Sequence, residues 1–311
     1  MKIGIDVGGT NLVAALVDAK GNICKKEQSP VEHGCTDVEL CNRIHQLARL
    51  VSDEEVAVTS VGIGIPGLVD SKNGVIVKTP NLPFDNTPIR ELFQKEWDIP
   101  VYLGNDANCA AIGEYHAGAA KGAESVLMVT LGTGIGGGFV YKGKLFEGRY
   151  HGAMEIGHMI IEKGGRLCGC GKRGCFERYA SATALIHTAG EWLPNAKTSV
   201  LWGLCNGDPA NLTGAMVFQG AKLRDSVAIS AVENYTTYLA IGLSNLINVL
   251  QPEVICLGGG ISHAPGELLL DPLCEKLKRY VFDDSAPLRI EKAALGNDAG
   301  LIGAAMLCSS I

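Results

Sequence analysis

The feature that most restricts this chain is a short unit that occurs twice. Lys2 to Asp6 alternates as a strand, Gly8-Gly9 makes a tight turn, Asn11 to Val17 is a second strand, and Asp18-Ala19-Lys20-Gly21 turns into a third. Val126 to Thr130, the turn Gly132-Thr133-Gly134, Gly136 to Tyr141 and the hairpin Lys142-Gly143 repeat that order. The repeat predicts two similar α/β halves that face each other across a central cleft. No linker-like stretch separates them. The boundary is placed after residue 117, giving domains over 1–117 and 118–297, with a last helix, about 298–311, packing back on the first half.

Between the repeats, Thr36 and Glu39 form a capping box for a helix to Val51, with Val38, Ile44, Leu47 and Val51 as its apolar stripe. A strand over Val56–Ile63, the turn Pro66-Gly67, a hairpin through Asn73-Gly74 and a helix capped by Thr87 follow. Strand Ile99–Leu103 ends at Asn105-Asp106, before a small-residue helix over Ala107–Ala117. The second half reads as helices at Ser181–Gly190, Pro209–Lys222 and Ser226–Leu250, then strand Val254–Leu257, Gly258-Gly259-Gly260, a helix near Leu268–Tyr280 and a strand near Leu288–Ala293.

Composition narrows the function classes. With 311 residues, 47% hydrophobic and 19% charged, the chain can bury a large core. A net charge of -6 and a pI near 5.7 offer no basic field for nucleic acid or an anionic membrane. Neither a signal peptide nor a membrane span is legible, so a cytoplasmic protein acting on a small molecule is expected. Eight of the eleven cysteines are scattered singly and read as reduced, packed thiols.

The other three crowd together. Cys168, Cys170 and Cys175, with His158 upstream, offer a Cys₃His donor set for tetrahedral Zn²⁺, and intervening glycines let the chain fold tightly around it. Four protein ligands leave no open position, so such a zinc is structural. Glu155 and Glu177 flank the knot, where fixed carboxylates suit the hydroxyls of a sugar, and the second ring nitrogen of His158 is available to the same ligand.

Asp6-Val7-Gly8-Gly9-Thr10-Asn11 follows a strand directly, so its backbone can approach a phosphate, and Asp6 can reach the hydration shell of Mg²⁺ on a triphosphate. Gly132-Thr133-Gly134 is a second such turn, and Gly258-Gly259-Gly260 leaves bare backbone for adenine or ribose. Neither of the first two is a Walker A loop or opens a dinucleotide-binding unit. Asp106, at a strand end and a helix N-terminus, can take the proton of an attacking hydroxyl, with Asn105 beside it. An N-cap alone is the commoner fate of such an Asp.

Together, Asp6-x-Gly-Gly-Thr10, Pro66-Gly67, Asn81-Leu82-Pro83, Asn105-Asp106, Leu131-Gly-Thr-Gly-x-Gly-Gly-Gly138, Glu155-x-Gly-His158, Cys168-x-Cys-Gly-x-x-Gly-Cys-x-Glu177 and Gly258-Gly-Gly260 resemble the ROK family of sugar kinases over nearly the whole chain, and within it the bacterial glucokinases. The resemblance implies the actin-like ATPase fold with two RNase H-like domains, ATP with Mg²⁺ and a structural Zn²⁺. It implies Asp106 as the base that activates the 6-hydroxyl of a hexose, glucose first, with Asn105, Glu155, His158, Glu177, Gly67 and Asn81 binding the sugar. A homodimer or homotetramer is the assembly it suggests. One position departs: the residue before Glu155 is Met154, where the family usually has Gly. N-acetylmannosamine, N-acetylglucosamine, allose or fructose kinases of the family stay open as alternatives. Sugar-responsive repressors of the family carry an N-terminal helix-turn-helix, whereas here the first phosphate strand starts at residue 3. Actin-like structural ATPases would have no use for Asn105-Asp106 beside a zinc knot.

Overall fold

The computed structural model describes residues 1–32, 34–52, 56–95, 97–285 and 287–311. The chain begins with β1 (Lys2–Val7), β2 (Asn11–Val17), β3 (Ile23–Pro30), α1 (Asp37–Val51) and β4 (Val61–Ile65). Next come β5 (Leu68–Asp70), β6 (Val75–Lys78), β7 (Asp85–Thr87), α2 (Ile89–Gln94), β8 (Val101–Asn105) and α3 (Asp106–Ala117). Strands β9 (Ser125–Leu131), β10 (Ile135–Tyr141) and β11 (Lys144–Leu145) lead to α4 (Glu177–Ala180), α5 (Ala182–Trp192), α6 (Leu201–Leu204), α7 (Gly214–Lys222) and α8 (Ser226–Leu250). The chain ends with β12 (Val254–Gly258), α9 (Leu270–Leu277), β13 (Arg289–Lys292) and α10 (Ala299–Ser310).

Two compact units result. The first comprises Met1–Met128, Gly137–Met154 and Ala293–Ile311; the second comprises Val129–Gly136 and Glu155–Lys292. This division differs from a single cut after residue 117, because the outer halves of β9 and β10 and all of β11 go with the first unit. Packing explains it. Gly138 of β10 lies against α3, where a Cβ would fall 2.7 Å from the Ala107 carbonyl oxygen.

The first unit is built on a mixed sheet in the order β3-β2-β1-β4-β8. β1 runs antiparallel to β2 and parallel to β4, which is parallel to β8. Alternation along β1 explains its two faces. Ile3, Ile5 and Val7 enter an apolar core with Leu40, Ile44 and Val51 of α1, while Gly4 and Asp6 point to the face that carries α10. There α10 rests directly on backbone, since a Cβ at Gly4 would meet the Leu301 carbonyl oxygen at 2.1 Å. The capping box of α1 forms as expected, with Thr36 accepting from the Glu39 amide and Glu39 from that of Thr36. Its stripe is rotated from expectation: Val38 is 59% exposed, and Leu40, Cys41 and Ala48 join Ile44, Leu47 and Val51 inside. Thr87 is not a cap. It ends β7, and Pro88 precedes α2 with no side-chain cap.

The second unit surrounds the long helix α8, begun by Asp225, whose carboxylate accepts the Ala228 amide. Helices α4, α5, α7 and α9 pack along it. The stretch read as one helix over Pro209–Lys222 is broken, because Asp208 and Thr213 cap two separate starts. The sheet order of the second repeat is β11-β10-β9-β12-β13. Among the described residues, no helix is long and apolar enough to cross a membrane.

Candidate active site

In the first unit the end of β8 and the start of α3 set out Asn105 and Asp106. Asn105, not Asp106, caps α3: its Oδ1 accepts the Ala107 amide at 2.9 Å and the Asn108 amide at 3.3 Å, and its Nδ2 donates to the Gly67 carbonyl at 3.2 Å. One amide hydrogen of Asn105 remains for a ligand. Asp106 is thereby relieved of the capping role and stands solvent-accessible in the first helical turn, accepting the Ala107 amide at 2.8 Å. Surrounding protein pushes its carboxyl pKa up, against the amides of Ala107 and Asp106 and the side chain of Asn105, which pull it down.

Asp6 shares this face. Its carboxyl is pushed up to about 6, first by burial and then by the charges of Asp106 and Asp298, while Lys26 lowers it. Lys26 of β3 pairs with Asp298, which precedes α10. Three carboxylates with a single lysine is a donor set that fits a hydrated divalent cation held through few protein oxygens. The first glycine turn departs from expectation in one respect: the Gly8 amide donates to the Asn11 carbonyl and so closes the turn. Gly9, Thr10 and Asn11 are exposed, and Gly9 lines a cavity of about 240 Å³ with Glu32, Cys35, Asn81 and Leu82. Asn81 therefore stands next to the first glycine turn.

In the second unit, Glu155, Ile156, Gly157 and His158 form a tight turn, and Cys168, Cys170 and Cys175 close on His158. Their four donor atoms lie within 4.8 Å of one another. Cys170 and Cys175 sulfurs are 3.6 Å apart, and His158 Nδ1 is 3.7 Å from the Cys168 sulfur. Tetrahedral bonds of about 2.3 Å to sulfur and about 2.0 Å to nitrogen require separations of about 3.8 and 3.5 Å, so the donors fit Zn²⁺. The imidazole faces the sulfurs through Nδ1, which leaves Nε2 for a ligand. Burial and the hydrogen bond to Glu177 push the Cys168 thiol up to about 12, so loading a cation must displace its proton.

Cys168 donates to Glu177 Oε1 at 3.0 Å, which ties that carboxylate to the knot. The other oxygen of Glu177 lies 2.6 Å from where a Cβ on Gly134 would stand, so the second glycine turn and Glu177 are close neighbours. Within this turn the Gly132 amide is taken by the Gly134 carbonyl, and Thr133 is exposed. Gly259 has φ +80° and sits where a Cβ would fall 2.5 Å from the Leu131 carbonyl oxygen, so only glycine serves there. Gly260 has open space instead and helps line a cavity of about 410 Å³ with Gly214, Phe218, Gln219, Lys222 and His263. Helix α7 was expected from the sequence as a helix but not as part of a site. Its only local signal is the small-residue start Gly214-Ala215, and 45 residues separate that from Gly259.

Met154 has φ +68°. This left-handed backbone favours glycine, and Met154 adopts it although it bears a Cβ.

A profile of the ROK family matches residues 2–311. A glucokinase from Thermotoga maritima is 38% identical over 98% of this chain and 96% of that protein. A glucokinase from Halalkalibacterium halodurans is 37% identical over 98% of this chain and 94% of that protein. A ROK glucokinase from Streptomyces griseus, solved with glucose and AMPPNP, superposes with a TM-score of 0.81 at 34% identity, covering 98% of both chains.

Proposed function

Because the chain belongs to the ROK family, we propose that it transfers the γ-phosphoryl group of ATP to the 6-hydroxyl of glucose, with Asp106 as general base. The single observation that carries the assignment of the base is the capping of α3 by Asn105, which leaves Asp106 unspent at the helix start. Phosphoryl transfer asks for a positioned hydroxyl, a proton acceptor and charge stabilisation rather than covalent chemistry. Asp106 accepts the hydroxyl proton, and its raised pKa makes it a better acceptor than an ordinary carboxylate.

Within the first unit, the turn Gly8-Gly9-Thr10-Asn11 and Asp6 serve the phosphates, and Gly67, Asn81 and Asn105 serve the sugar. Mg²⁺, when bound near Asp6, neutralises phosphate charge. Within the second unit, Glu155 and Glu177 accept from sugar hydroxyls and His158 donates to them, and His158, Cys168, Cys170 and Cys175 hold a structural Zn²⁺ that braces the segment leading from Cys175 to Glu177. Gly132, Thr133 and Gly134 approach the phosphates. Gly258, Gly259 and Gly260 receive the nucleoside, with Gly260 in the cavity that Phe218, Gln219 and Lys222 line. A coupled ADP-release assay over glucose, fructose, allose, N-acetylglucosamine and N-acetylmannosamine tests the reading. The greatest kcat/KM is expected with glucose, and turnover of an N-acetylhexosamine alone would replace the substrate.

A further inference from the structure

The loop before Glu155 holds a side-chain cluster that none of the roles above uses. His151 Nδ1 lies 3.2 Å from Ser71 Oγ and 3.8 Å from a Glu147 carboxylate oxygen, and Nε2 lies 3.6 Å from Asp70 Oδ1. Ser71 is buried and donates to Glu147 at 2.9 Å. A serine has one hydroxyl proton, so His151 must be the donor in its contact with Ser71. The Ser71 carbonyl in turn accepts from Arg90 at 2.6 Å, which pins the β5–β6 turn from α2. One imidazole thus bonds Ser71 and lies beside Asp70 and Glu147, bridging two segments far apart in sequence.

What it holds is costly. Gly148, His151 and Met154 have φ of +70°, +57° and +68°, and two of them bear a Cβ. A segment with such backbone persists only where its surroundings over-determine it, and such segments gather at functional sites. The ties that do so are the imidazole cluster and the Ala153 amide, which donates to the Glu147 carbonyl at 3.1 Å. The segment's next residue is Glu155. At its other anchor, Asp70 ends the strand that follows Gly67, whose carbonyl is held by Asn105.

We propose that His151 is a positioning residue for the sugar: by clamping loop 147–154 to the β5–β6 turn it sets the backbone from which Glu155 is presented, and so governs sugar affinity rather than the transfer step. This rests on the kinase reading, and the tests are chosen to separate the two.

His151→Gly removes the imidazole and keeps a residue at ease with positive φ. Its Ala153 amide should exchange with solvent at least about tenfold faster than in the wild type, in protein without any substrate. Calorimetry with the hexose that the wild type turns over fastest should show Kd raised about tenfold, with KM for that sugar rising in parallel and kcat and the KM for ATP within about threefold. Ser71→Ala should act in the same direction, and the double variant should be no worse than the worse single one. His151→Asn, which tolerates the left-handed region and can donate to Ser71, should restore most of the affinity. Unchanged Ala153 exchange in both His151→Gly and Ser71→Ala overturns the clamp. Faster exchange with unchanged sugar Kd overturns the link to the sugar. A wild type inactive on every hexose would count against the kinase reading, while the exchange measurement still decides the clamp.

Discussion

Glu114→Gln measures how far the first unit depends on one buried carboxylate. Glu114 lies on α3 with 0% exposure and accepts three backbone amides: Ala119 at 2.8 Å, Ala294 at 3.0 Å and Leu295 at 2.8 Å. The first fixes the turn after α3. The other two fix the segment that delivers Asp298 and α10. Gln matches the shape of Glu but has one oxygen, and keeping that oxygen on Leu295 turns its NH₂ towards the amides of Ala119 and Ala294. Each buried amide left without an acceptor costs about 1–3 kcal/mol, or about 2–6 kcal/mol for the pair. Removing a buried charge offsets part of this, which leaves a loss of about 2–4 kcal/mol. For a unit of this size each kcal/mol moves Tm by about 2–4 °C, so scanning calorimetry at neutral pH should show a fall on the order of 10 °C. A fall of less than about 2 °C would refute the account, because the three amides would then have found other acceptors.

Four further outcomes can be checked. Asp106→Ala should lower kcat by at least about a thousandfold with zinc content unchanged, and turnover within about tenfold of wild type would remove Asp106 from the base role. Protein purified under reducing conditions should carry about one zinc per chain, and Cys170→Ser should lose most of it; metal analysis that finds none in the wild type would end the zinc assignment. Met154→Gly should raise Tm slightly or leave it unchanged, since relief of left-handed strain, about 1–2 kcal/mol, outweighs the extra freedom of glycine in the unfolded chain, about 0.5–1 kcal/mol; a clear drop in Tm would show that the φ of Met154 carries no strain. Asp6 has a folded pKa near 6 against a usual value of 3.8, so its contribution is full below pH 4 and is lost as pH rises through 6. Wild-type stability relative to Asp6→Asn should therefore decline by about 2 kcal/mol between pH 4 and 7 in the absence of cations, and parallel curves would contradict the shift.

Much of the fold was legible because it depends on neighbours in the chain. The ends of β2 and α8, the α1 capping box and the hairpin at Lys142-Gly143 follow from turn chemistry and apolar period, which act over a few residues. The gathering of His158, Cys168, Cys170 and Cys175 was legible for the same reason, as four potential donors within eighteen residues of chain. Errors arose where one local rule admitted two outcomes. The apolar period of α1 fitted Val38 as well as Leu40, and only the position of the sheet chose Leu40. At the start of α3 local chemistry pointed to Asp106 as a cap, and Asn105, held by the Gly67 carbonyl, takes that role instead.

The sequence by itself determined the kinds of element, the sites of the glycine turns and the cluster of one histidine and three cysteines, since each is a matter of spacing along one short segment. Tertiary structure alone decided that α7 lines a cavity with Gly260, that Glu114 gathers amides from 119, 294 and 295, and that His151 reaches Ser71 across eighty positions. Those groups meet only after sheets and helices have packed, and no short-range periodicity records a contact whose partners are chosen by burial.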